Sequence, residues 1–106
     1  MTGLNEVGFV ALSGALLAVG LFGVLTRRNF VLILVAIEIA MNAAILNFVY
    51  FAAFAPTVAG GLSGQSIAVV LVGFAATEVA VGLAIVLELN RSKGTINVAE
   101  ATELKL

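Results

Sequence analysis

Two glutamates, Glu38 and Glu78, each sit near the middle of an apolar stretch long enough to cross a membrane. An ionised carboxylate at that depth costs about 2.5 kcal/mol or more. Burial penalises the charged form, so the cheapest use of such a group is to take up and release a proton; the structural alternative is a buried partner for an Arg or Lys of another subunit. The rest of the sequence holds few other reactive groups. It has no Cys and no His, which excludes a disulfide framework, a thiolate or imidazole metal site, and nucleophile or base chemistry resting on either residue.

Other residues gather around this pair by spacing. Asn42 follows Glu38 by four residues and shares its helical stripe, where a carboxamide can hydrogen-bond the carboxyl or hold a water. Thr77 puts a hydroxyl next to Glu78. Ala75 and Gly82 lie on the Glu78 stripe and leave room for water or a neighbouring backbone. Ala76, Ala80 and Ala84 form a second small-residue stripe, and Gly14 and Ala18 offer a similar surface earlier in the chain. Asn47 falls on the opposite side of the helix from Glu38, an arrangement expected of a helix surrounded by protein. The bland reading of the small-residue stripes is packing, and that of the asparagines is interhelical hydrogen bonding.

The elements that carry these residues follow from composition and pattern. The chain has 106 residues, of which 62% are hydrophobic and 10% charged, with net charge −1. Soluble domains carry about a quarter charged residues. A chain this small cannot bury so much apolar surface against itself, and its charge offers no basic surface for nucleic acid. Three apolar runs predict an all-α integral membrane protein with helices over about 6–25, 30–55 and 66–90, each reaching the roughly 20 residues a bilayer requires. Asn5 and Asn29 are the expected caps of the first two helices, and Pro56 lies beyond the end of the second. The first run lacks the basic leader of a cleavable signal and is expected to be retained. A Gly-rich loop over 56–65 and a short polar tail over 91–106 complete a single membrane domain. The tail either lies along the membrane surface or docks on a neighbour.

Orientation is read from the basic residues. Arg27 and Arg28 lie in the first turn, and Arg91 and Lys93 follow the third helix, whereas the second connection carries no charge. These residues place the turn and the C-terminus in the cytoplasm and the N-terminus outside. Glu38 then lies about 15 Å, and Glu78 about 20 Å, from the cytoplasmic edge at the helical rise. At helix separations of about 8–10 Å, one or two waters would bridge them.

The segment from Gly20 to Asn29, with its Thr-Arg-Arg-Asn ending, resembles the end of the first helix and the basic turn in the K subunit family of bacterial NADH-quinone oxidoreductase, the 4L family of mitochondrial complex I. Ile37-Glu38-Ile39-Ala40-Met41-Asn42-Ala43 and the block from Ala75 to Ala84 around Glu78 are similar to the two glutamate-centred signatures of that family, and the resemblance covers essentially the whole chain. Ser63, where the family usually has Asp, and Thr77, where it usually has Ala, are the departures. The resemblance implies a membrane-arm subunit of a proton-translocating oxidoreductase in the prokaryotic inner membrane, with Glu38 and Glu78 as its membrane carboxyls. It also implies that the donor site for NADH or another reductant, FMN, the iron–sulfur clusters and the quinone pocket belong to partner subunits. The alternatives are a small subunit of a multisubunit sodium/proton antiporter, a small multidrug-type exporter, or an assembly factor without proton chemistry. Four spans and a Trp- and Tyr-lined site would mark the exporter; this chain has no Trp and one Tyr.

Overall fold

The structure, a computed structural model, describes residues 2–102 and is helical throughout. Three long helices, α1 (Thr2–Thr26), α2 (Phe30–Ala53) and α3 (Val58–Lys93), are followed by one short turn of helix, α4 (Val98–Thr102). All three long helices are long and apolar enough to cross a membrane, with mean hydropathy of 2.2 to 2.3. They form a single layer. The central helix, α2, packs along both α1 and α3, and the molecule measures 57 × 24 × 16 Å.

Several boundaries differ from those expected. Helix α1 begins by Thr2, so Asn5, the expected cap of a helix from about residue 6, lies inside it. Asn29 caps α2: its side chain accepts from the Val31 and Leu32 backbone N–H groups at 2.8 and 3.4 Å. That helix stops at Ala53, two residues short of the expected end, since Pro56 disfavours helical backbone just before it.

The largest difference is the segment 58–65, expected as a loop. It forms the first two turns of α3. Thr57 caps it, accepting from the Gly60 N–H at 3.1 Å. Glycine costs a helix about 1 kcal/mol relative to alanine, but here it permits close packing. A Cβ on Gly61 would stand 2.9 Å from the Ala52 carbonyl oxygen, and one on Gly64 would stand 2.6 Å from the Ala52 Cβ. At its other end α3 runs to Lys93, three residues past the expected limit. Arg91 and Lys93 suit the negative end of the helix dipole, and Gly94, at φ 70°, supplies the left-handed cap.

Close contact between α1 and α2 falls at Gly20 and Gly23, not at Gly14 and Ala18, which are exposed. A Cβ on Gly20 would lie 2.7 Å from Ala40 and one on Gly23 2.6 Å from Ala36. Small residues matter here because lipid supplies no hydrophobic drive between helices, leaving close packing to hold them together. At the far end of the same pair, Tyr50, only 5% exposed, stacks on Phe9 with ring centroids 4.4 Å apart. The Ala76, Ala80 and Ala84 stripe is exposed.

The polar tail turns back on its own chain. Phe30 N–H donates to the Ile96 carbonyl at 2.9 Å and Val98 N–H to the Arg28 carbonyl at 2.7 Å, pairing Asn29 with Asn97 in an antiparallel bridge. Glu103 and Lys105 lie outside the described residues.

Candidate functional site

The register of α2 against α3 places the two glutamates. Gly82 abuts Leu34, where an added Cβ would come within 2.8 Å of a methyl, and Gly64 abuts Ala52. Between these contacts Met41, Ile45, Ala68, Leu71 and Ala75 pack into one apolar cluster. Leu34 to Ala52 and Gly64 to Gly82 both span eighteen residues, so two antiparallel helices of equal rise stay in step between the two contacts. Glu38 stands one turn beyond Leu34, and Glu78 one turn before Gly82. The two carboxylate-bearing residues therefore lie level with one another along the helix pair, slightly closer in depth than the distances to Arg28 and Arg91 suggest.

Their surroundings differ. Glu38 is half-buried, and its Oε1 is fully buried with no hydrogen-bond partner among the described residues. Glu78 is exposed on the flank of the α2–α3 contact, in a groove of about 450 Å³ lined by Leu34, Phe74, Val81 and Ile85 besides Thr77 and Gly82. An added Cβ on Gly82 would meet the Leu34 side chain, while Gly82 itself still lines the groove. Ala75, the other small residue on that stripe, belongs to the apolar cluster.

The supporting polar groups are placed less tightly. Asn42 is exposed, and among the described residues no hydrogen bond joins it to Glu38. The Thr77 hydroxyl is satisfied by its own helix, donating to the Phe74 carbonyl at 2.7 Å. Asn47, on the opposite side of α2, repeats the situation of Glu38: its Oδ1 is buried without a partner among the described residues. It opens on a second groove, about 470 Å³, between Phe48, Phe51, Gly60 and Gly64. Arg27 and Arg28 are exposed at the turn.

Three features escape a reading by sequence. The Gly20–Gly23 contact has a signal, two glycines three residues apart, that points to it. The buried Ser13 side chain donates to the Val10 carbonyl at 3.0 Å, a common fate for a serine inside a helix. The pairing of the tail with the first turn has no local signal at all.

The sequence model of the family described as NADH-ubiquinone/plastoquinone oxidoreductase chain 4L matches residues 8–106. The chain belongs to this family. It is 42% identical over 96 residues to the NADH-quinone oxidoreductase subunit K of Anaeromyxobacter sp. (strain K), covering 91% of this chain and 93% of that one. It is 43% identical over 103 residues to the protein of the same name from Desulfitobacterium hafniense, covering 93% and 94% of the two chains. With that of Bacillus anthracis it shares 41% identity over 105 residues, 99% of each. The sequence has no Cys or His, and no group of three or more metal-ligating side chains forms among the described residues.

Proposed function

We propose that this chain is a membrane-arm subunit of a proton-translocating NADH-quinone oxidoreductase, or of a relative using another donor, in which Glu38 and Glu78 hold and pass protons. The observation that carries this reading is the level placement of the two glutamates, with one Glu38 oxygen buried and unpartnered. No donor among the described residues meets this oxygen, which leaves it to a water or a side chain of a neighbouring subunit, and leaving it unmet costs about 1–3 kcal/mol. A water chain that meets this need also conducts protons. Glu78, opening on a groove at the same level, is the next station, either directly through waters or through a carboxylate of an adjacent subunit.

The chain itself performs no redox step. NADH, FMN, iron–sulfur clusters and quinone are held by partner subunits, and this subunit supplies proton sites and packing surface. Arg27, Arg28, Arg91 and Lys93 orient it with the first turn and the tail in the cytoplasm and the N-terminus outside, across the prokaryotic inner membrane. Asn42 and Thr77 tune hydration beside the carboxyls, and Gly82 lets α2 and α3 approach closely.

The deciding experiment uses membrane vesicles carrying Glu38→Gln, with quinone reduction and proton uptake followed together. Glutamine keeps shape and hydrogen bonding but holds no exchangeable proton. Assembly with collapse of proton uptake supports the proposal. Wild-type uptake in a fully assembled complex refutes it for Glu38.

A further inference from the structure

We infer that residues 95–102 form a clasp that fixes the axial register of α2 against α3, and that Asn97 and Val98 are positioning residues for the glutamate pair. This rests on the reading of Glu38 and Glu78 as working proton sites. After Lys93 the left-handed Gly94 reverses the chain, and the following residues run antiparallel to 28–30, the start of α2. The two flanking hydrogen bonds, Phe30 N–H to Ile96 and Val98 N–H to Arg28, tie the end of α3 to the first turn of α2.

The clasp is built, not incidental. The Asn97 side chain accepts from the Ala99 N–H at 2.9 Å and its carbonyl accepts from Ala101 N–H at 3.0 Å, so Asn97 caps α4 just as Asn29 caps α2. Thr95 accepts from the Asn97 N–H at 3.0 Å and its hydroxyl donates to Glu100. Paired asparagines thus each serve one helix with the side chain and the bridge with the backbone around them.

Its purpose follows from what otherwise holds α2 to α3. Their contact is made by alanines, glycines and aliphatic side chains, which set distance well and axial position weakly. A slip of one helical turn, about 5.4 Å, would carry Glu38 off the level of Glu78. Directional hydrogen bonds at the helix ends oppose that slip.

The test uses the assembled complex in native membranes. Asn29 and Asn97 form the non-hydrogen-bonded type of antiparallel pair, with Cα atoms about 4.5 Å apart, inside the range a disulfide spans. Because the chain contains no cysteine, the pair Asn29→Cys with Asn97→Cys is expected to close on oxidation, read as loss of thiol labelling within this subunit. Val98→Pro is the complementary change. Val98 is the first residue of α4 after an extended residue, a position proline accepts, so the substitution removes little but the N–H that binds Arg28. It is expected to lower protons moved per electron by about twofold or more in complex that assembles normally. Oxidising the cysteine pair in the Val98→Pro background is expected to restore the ratio, and reduction to remove it again.

A pair that stays labelled under oxidant overturns the clasp. So does a Val98→Pro complex that translocates like wild type, or one that the disulfide fails to restore. Glu38→Gln, run alongside, separates this from the glutamate reading: silence there refutes the glutamates, whereas an open cysteine pair refutes the clasp whatever Glu38 does.

Discussion

Glu38 and Glu78 stand at one level on neighbouring antiparallel helices, yet they meet different surroundings. Helix α2 is flanked on both sides, so Glu38 has an oxygen closed off within the chain and lacking a donor among the described residues. Helix α3 has α2 on one side only, and Glu78 opens outward on an apolar groove. The same residue type is thus held by this chain in one case and left on its surface in the other. Position in the row of helices, not the local sequence motif, makes the difference.

The contrast can be broken most severely at Glu38. In vesicles, Glu38→Gln is expected to reduce coupled proton uptake by about a hundredfold, the scale on which a positioned proton-transfer group contributes, without loss of the subunit from the complex. Next comes Gly82→Val, which drives a branched side chain into Leu34. Overpacking of this kind costs about 1–3 kcal/mol, and it is expected to lower the amount of assembled complex on native gels. Leu34→Ala in the same chain should recover part of it. Glu78→Gln follows, with a several-fold fall in proton uptake, smaller than at Glu38 because groups from outside the chain can share its groove. Asn42→Ala is expected to change uptake by less than about twofold, since no hydrogen bond ties it to Glu38 and a surface change of this sort is worth little. An effect at Asn42 as large as that at Glu38 would mean the two act as one unit through a neighbour.

How much of this was legible beforehand depends on the range over which each feature is determined. The three membrane-capable helices come from composition and length alone, and Asn29 as a cap needs only the four residues around it. The level placement of Glu38 and Glu78 was approachable because basic residues mark a common edge from which to count. Gly60, Gly61 and Gly64 misled, since glycine argues against helix locally, while the contact with Ala52 that repays its use is twelve residues away along the chain for Gly64. Gly14 and Ala18 misled in the other direction: small residues permit close approach but do not say which of several candidates is used. The fold-back of residues 95–98 depends on backbone groups nearly seventy residues earlier, and no spacing rule reaches that far.

The layer is 16 Å thick, less than two helices with their side chains at about 10–12 Å each. A row one helix deep has two open faces. It can serve as a wall but never as a vessel, because a file of water needs to be enclosed on every side and this chain can supply only one. Any passage it helps to form is finished by whatever stands opposite.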